Sequence, residues 1–215
     1  MQKEALPFDW IWIPSISTIT ELFNDKFSSF LHKENLQFVR NNGDADIYKD
    51  INNHIEFWHD FMAGKDFDES YIKIKDKYLR RIARTYEYIN KANSILLFRT
   101  IKIREKRNKN DDHLFAETKL QTQDLINELR ALQNVFPNKK IELLLVYLYC
   151  NTHEFLEYNI NNDIHICEIY NDEEFGWQGN EQQIAKILQK YDLTYKGKLR
   201  YLGNTIKFKL SKLFK

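Results

Sequence analysis

Cysteine, proline and glycine are all scarce: 215 residues hold two, three and six of them. Two cysteines, Cys150 and Cys167, are too few for a disulfide-stapled scaffold, and in a chain without a secretion signal they are expected to be reduced and buried. So little proline and glycine leaves no composition for a long disordered linker. The longest apolar run, Ile141 to Cys150, falls well short of the roughly 20 residues that a membrane-spanning helix needs. Met1 to Ile13 carries Lys3, Glu4 and Asp9 where a signal peptide would have a basic start and an apolar centre, so the cytoplasm is the expected compartment. There is neither a glycine-rich phosphate loop nor a serine-centred nucleophile elbow. His153 and His165, with the two cysteines, lack the close ligand pairs of a structural zinc site. No metal and no cofactor is expected.

What is present suffices for a core. Hydrophobic residues make up 43% of the chain and aromatics 14%, enough for one domain of this length. The net charge of +1 hides an asymmetry: residues 196–215 hold seven basic residues and no acid, leaving 25 basic against 31 acidic residues elsewhere. A basic tail on an acidic body says more than the total.

Along the chain, Thr18 and Glu21 have capping-box spacing, and Ile16, Ile19, Phe23, Phe27 and Phe30 recur at helical intervals. Asn41-Asn42-Gly43-Asp44 reads as a turn, and Ile55 to Trp58 as a short strand leading into His59-Asp60-Phe61. Then helix and strand alternate. Tyr71, Ile74, Tyr78, Ile82 and Ile89 mark a helix over 71–91, and 94–100 is a compact apolar strand. After a charged loop, a helix over 114–135 shows Leu125, Leu129, Leu132 and Phe136, and Pro137-Asn138 stops it. Residues 141–149 and 164–169 read as strands, and 181–191 as a short helix. Such alternation implies an α/β fold, a mainly parallel sheet flanked by helices in three layers. The expected organisation is a single domain over 1–195 with a tail over 196–215.

Near the start, Pro7-Phe8-Asp9-Trp10 wedges an aspartate between two large aromatics, which is costly to bury without hydrogen bonds. The block resembles the PFDW signature of a family described as "putative papain-like cysteine peptidases". Trp58-His59-Asp60-Phe61 resembles that family's HDF motif, Arg80-Arg81 its paired arginines, Leu97-Phe98-Arg99 its strand ending in Phe-Arg, and Trp177-Gln178-Gly179-Asn180 its late Trp-x-Gly segment. The resemblance covers about Pro7 to Leu193. It implies nucleophilic acyl chemistry, in which a thiolate attacks a carbonyl and a histidine takes up and returns the proton. His59 is the candidate base, with Asp60 or Asp9 as the orienting carboxylate. In the family, a Gly-x-x-Cys segment with the proposed nucleophile precedes the signature, whereas only Met1 to Leu6 precede it here. The expectation is an inactive form, either truncated or a pseudoenzyme that binds what its relatives cleave.

Each candidate has a plainer reading. His59 fits a half-buried histidine bonded to backbone, and Asp9 a cap of the turn before the first helix. Cys150, with His153 three residues on, offers a weaker substitute nucleophile, and buried cysteine is a common core residue. Arg99, at the expected carboxyl end of a strand, suits a phosphate or carboxylate. Trp10 and Trp58 join it as ligand-binding candidates. The expected partner is an unidentified peptide or small anionic ligand. The lysine-rich loop lacks the interleaved aromatics of a nucleic-acid platform, so no nucleic acid is expected.

In the tail, Leu199, Leu202, Ile206, Leu210 and Leu213 fall on one helical stripe, flanked by Lys207, Lys209 and Lys212. This is the composition of a basic amphipathic helix lying on an anionic membrane, here the inner face. Docking on the acidic body is the alternative, and Ile206, Phe208 and Leu210 also alternate as a strand would. A second functional reading follows: a peripheral-membrane accessory or transferase-like protein of cell-surface glycan assembly, with Arg99 and His59 binding a ligand such as a sugar nucleotide.

Overall fold

The structure is a computed structural model that describes residues 6–9, 11–103, 115–116, 118–150, 154–171 and 180–191. Two compact units emerge, Met1–Ile95 with Thr122–Glu142, and Leu96–Gln121 with Leu143–Lys215.

The first unit opens with a 3-10 turn, Pro7–Asp9, followed by strand β1 (Ile11–Trp12) and helix α1 (Ile16–Asn24). Ser15 caps α1: its backbone is extended (φ −148°), and its hydroxyl accepts the Thr18 N–H at 3.2 Å. The cap is therefore three residues earlier than the Thr18–Glu21 spacing suggested. Past Asn24 the helical stripe does not continue as helix. Lys26, Phe27 and Leu31 take left-handed φ values of 56°, 61° and 55°, which disfavours side-chain-bearing residues. The strain is offset by burial of Phe27, Phe30 and Leu31. Phe8 stacks on Phe27 at 5.9 Å, and Phe23 meets Tyr86 at 5.7 Å and Phe136 at 5.0 Å, all but the first edge to face.

Strands β2 (Leu36–Asn41), β3 (Ala45–Asp50) and β4 (Ile55–Met62) complete a four-stranded sheet in the order β1-β4-β3-β2, every pair antiparallel. The β2–β3 turn is the Asn-Gly turn expected from sequence. Gly43 takes φ 71°, and the Asn41 side chain accepts from Gly43 N–H at 2.9 Å. The β3–β4 turn is built on Asp50, which is fully buried. Its oxygens accept from the N–H groups of Leu31, Asn52 and Asn53 and from the Asn53 amide at 3.0–3.3 Å. Lys75 donates to the Phe30 and Leu31 carbonyls nearby, at 2.7 and 3.0 Å.

Helix α2 (Phe67–Lys91) is capped by Asp66, which accepts the Glu69 N–H, and buries Ile74, Tyr78, Ile82, Thr85 and Ile89. Helix α3 (Thr122–Val135) buries Leu125, Leu129 and Leu132. It begins eight residues later than the sequence suggested.

The second unit holds most of a five-stranded sheet. Its strands are β5 (Ser94–Ile103), β6 (Phe115–Ala116), β7 (Lys140–Tyr149), β8 (Leu156–Asn159) and β9 (Ile164–Tyr170), in the order β6-β5-β7-β9-β8. β6 runs parallel to β5 and β9 to β7, while β8 is antiparallel to β9. Lys140 N–H donates to the Asn93 carbonyl and Cys150 N–H to the Ile103 carbonyl, an even offset that makes β5 and β7 parallel. Helix α4 (Glu181–Leu188), capped by Asn180, packs Ile184 and Ile187 on Leu144, Val146, Leu148, Cys167 and Ile169.

The expected fold class, a mainly parallel three-layer sheet, is overturned. One sheet is wholly antiparallel and the other mixed. Residues 36–50 carry no continuous apolar run, so β2 and β3 offered no buried-strand signal, and only Ile55 to Trp58 read as a strand. The turns that join them are a few residues long, and only antiparallel neighbours can be joined so closely. The three apolar runs near 94–100, 141–149 and 164–169 lie in the mixed sheet, with β5, β7 and β9 side by side and parallel.

Candidate functional site

The PFDW and HDF blocks meet through one strand pair. In the β1–β4 register, Ile11 lies opposite Phe57 and Trp12 opposite Glu56. The strands are antiparallel, so Asp9, two residues before Ile11, and His59, two residues after Phe57, fall at the same end of the pair. Pro7 is buried, and Phe8 is held by Phe27 and Phe23 at 5.9 and 6.1 Å. That packing anchors a segment which would otherwise fray. Asp9 is exposed, and its Oδ2 accepts the Leu6 N–H at 2.8 Å, closing the 3-10 turn.

His59 lies in a bulge. From Asp46 to Tyr48, β3 advances two residues, while β4 moves four, from Phe61 to Phe57. Trp58-His59-Asp60 thus stand against Ile47 alone, a surplus of two residues. Bulges re-aim side chains and recur beside functional sites. Here the effect is visible: His59 is exposed, whereas the Asp60 side chain is 4% exposed. Asp60 forms an ion pair with Lys77 and accepts the Tyr78 hydroxyl at 2.6 Å, both partners on α2. Burial, followed by the Asp60 charge, pushes the Tyr78 phenol far above its ordinary pKa. The Arg81 guanidinium lies 5.2 Å from the Tyr78 ring centre. Trp58 donates its indole N–H to buried Glu56 at 3.0 Å, and Arg40 lies over its ring at 4.8 Å.

The β1–β4 pairing thus sets Asp9, Trp58, His59 and Asp60 toward one end of that strand pair, with Asp60 turned toward α2. Trp10, the fourth residue of its block, lies outside the described residues. So do Trp177 to Gly179, His153 and the whole segment 196–215 with Leu199, Leu202, Ile206, Lys207, Lys209, Leu210, Lys212 and Leu213. Arg99 does not end its strand, because β5 continues to Ile103. Its guanidinium is therefore carried by a mid-strand position in the second unit. Sequence reasoning missed Lys77 and Tyr78 as the partners of Asp60. Their separation of 17 and 18 residues leaves no local signal.

Neither cysteine lies in the unit that holds His59. Cys150 is half-buried just past β7, and Cys167 is buried in the α4 core. Burial, with Glu157 nearby, pushes the Cys167 thiol up to about 11, which suppresses the nucleophilic thiolate.

A second polar cluster lies on the face of the mixed sheet away from α4. Glu168, 1% exposed, accepts from Lys119 at 2.5 Å and from the Tyr158 and Tyr149 hydroxyls. Burial raises its pKa, but the bonds from Lys119, Tyr158 and Tyr149 outweigh burial and leave it below the usual carboxylate value. Among the described residues no group of three or more His, Cys, Asp or Glu could hold a metal ion, and no helix is long and apolar enough to cross a membrane.

Residues 1–135 match a family described as "Putative papain-like cysteine peptidase". An uncharacterized protein of Acanthamoeba polyphaga mimivirus is 28% identical over 116 residues, covering 46% of this chain and 52% of that protein. The chain therefore spans about half the length of that curated relative. No solved structure matches.

Proposed function

Since this chain belongs to the family described as putative papain-like cysteine peptidases, we propose that its first unit supplies the histidine half of a thiol-dependent acyl hydrolase. His59 is the base, Asp9 its orienting carboxylate, and Asp60 the group that fixes the bulge from behind. The observation that carries this reading is the β1–β4 pairing, which sets the Asp9 turn and the His59 bulge at one end of an antiparallel pair.

In this reading a thiol gives its proton to the His59 imidazole, and the thiolate sulfur bonds to an acyl carbon. The tetrahedral adduct collapses as His59 returns the proton to the departing amine. Water, deprotonated by the same imidazole, then cleaves the thioester to a carboxylate and the free thiol. Residues 1–95 and 122–142 contain no cysteine. The thiol therefore comes from outside this unit, as a Gly-x-x-Cys segment upstream of Pro7 would supply it. Trp58, beside the base, is the ligand-contacting aromatic.

The test begins with the genomic sequence ahead of Met1. An in-frame Gly-x-x-Cys is expected there. The longer protein should be alkylated by iodoacetamide at pH 7 faster than free cysteine, with His59→Ala slowing the reaction about 100-fold. A thiol that reacts no faster than free cysteine overturns the assignment. A longer frame without cysteine replaces it with a pseudoenzyme that binds a peptide and does not cut it.

A further inference from the structure

Two cations of α2 stand at the polar cluster behind the His59 bulge, and one carboxylate serves them. Lys77 and Arg81 are one helical turn apart, neighbours on the flank of the buried stripe of Ile74, Tyr78 and Ile82. Both oxygens of Asp60 are taken, Oδ1 by Lys77 Nζ and Oδ2 by the Tyr78 hydroxyl. The Arg81 guanidinium lies 5.2 Å from the Tyr78 ring centre. Its Nη1 is shut off from solvent and meets no hydrogen-bond acceptor among the described residues.

A buried guanidinium N–H without an acceptor is rare, because water satisfies the same group in the unfolded chain. Charge points the same way. Asp60 brings one negative charge, and Lys77 with Arg81 brings two positive ones, so one positive charge is left over. The cluster is open to small ligands, since the Lys77 side chain is 31% exposed and Arg81 is half-buried. These features select the ligand. A single surplus charge calls for a monoanion, and Asp60 close by opposes a phosphate dianion. The planar fork of a guanidinium matches the two coplanar oxygens of a carboxylate.

We propose that Arg81 and Lys77 form a carboxylate-binding subsite beside His59. Arg81 recognises the anion through its fork, and Lys77, shared with Asp60, adds a second positive charge on the solvent side. Asp60 directly follows His59, so the subsite adjoins the base. The substrate it selects is a peptide with a carboxylate near the amide that is cut. That substrate assignment rests on the hydrolase reading, whereas the binding of a carboxylate does not.

An NMR titration of the full chain with hippurate tests it, and needs neither a thiol nor turnover. Hippurate should shift the Arg81 Nε–H and the Asp60 amide saturably, and its uncharged counterpart hippuramide should not. Arg81→Gln should weaken binding at least about tenfold. Arg81→Lys, which keeps the charge and loses the fork, should weaken it as well. Arg80→Gln, at an exposed neighbour, should leave it unchanged. Urea midpoints of the variants tell a lost site from a lost fold. Displacement of hippurate by N-acetyl-Ala-Ala or by N-acetyl-Glu-amide supports the subsite and names a terminal or a side-chain carboxylate as its ligand. The absence of a saturable shift overturns the proposal. So does an equal response to hippuramide, binding that persists in Arg81→Gln, or tighter binding of inorganic phosphate. An unreactive thiol in the longer protein, with hippurate binding intact, removes the hydrolase reading and leaves the subsite standing.

Discussion

The Tyr78 hydroxyl donates to Asp60 Oδ2 at 2.6 Å, tying the middle of α2 to the bulge that presents His59. Tyr78→Phe removes this bond and leaves a buried carboxylate short of a donor. The loss of stability should be about 1.5–3 kcal/mol, the range for bonds to charged groups, read as a lower urea midpoint with an unchanged slope. Because His59 is exposed, His59→Ala should stay within about 0.5 kcal/mol of wild type. That pair of outcomes separates the support of the site from its chemistry.

Asp50 is the most demanding buried charge of the first unit, fully buried and bonded to Leu31, Asn52 and Asn53. Asp50→Ala strands these donors and leaves neighbouring Lys75 with the charge of Glu34 but without the larger one of Asp50. A loss of about 3–5 kcal/mol is expected, seen as a collapse of the β3–β4 turn in hydrogen exchange. Asp50→Asn keeps one of the two acceptor oxygens and should cost less.

Stability should vary with pH at both extremes through the Glu168 cluster. Tyr149 and Tyr158 are pushed up to about 12, first by burial and then by Glu168. Their contribution is complete below the ordinary tyrosine value of 10.0 and is lost as pH rises through 12. Glu168 lies below its ordinary 4.5, so its contribution is complete above that pH and lost on further acidification. Urea midpoints should be flat between these limits and fall outside them. In Glu168→Gln, phenolate absorbance should appear at lower pH while staying above the ordinary tyrosine range, because burial is the larger cause.

The two thiols should differ in reactivity. Cys167 is buried with its thiol pushed up to about 11, and Cys150 is half-buried. At pH 8 a disulfide reagent should modify Cys150 first and Cys167 only after denaturant is added. Mass spectrometry of the labelled peptides gives the order directly.

The amino-acid sequence by itself determined the elements whose signal is local. The α2 face of Ile74, Tyr78, Ile82 and Ile89 repeats at helical spacing, and the runs of β7 and β9 are apolar enough to be buried, whereas β5 is legible as a strand but buries only Ile103. Asn42-Gly43 specified a tight turn because few residues accept left-handed backbone. The motif blocks around Asp9 and His59 were equally legible, since short residue strings carry them. Only the tertiary structure decided the antiparallel sheet, the bulge and the partners of Asp60. Strands β2 and β3 are too polar to announce burial. The two surplus residues in β4 exist only relative to β3, and Tyr78 reaches Asp60 from a distant helix. Register and side-chain direction are relations between segments, fixed by which surfaces can be buried together, and no local pattern encodes them.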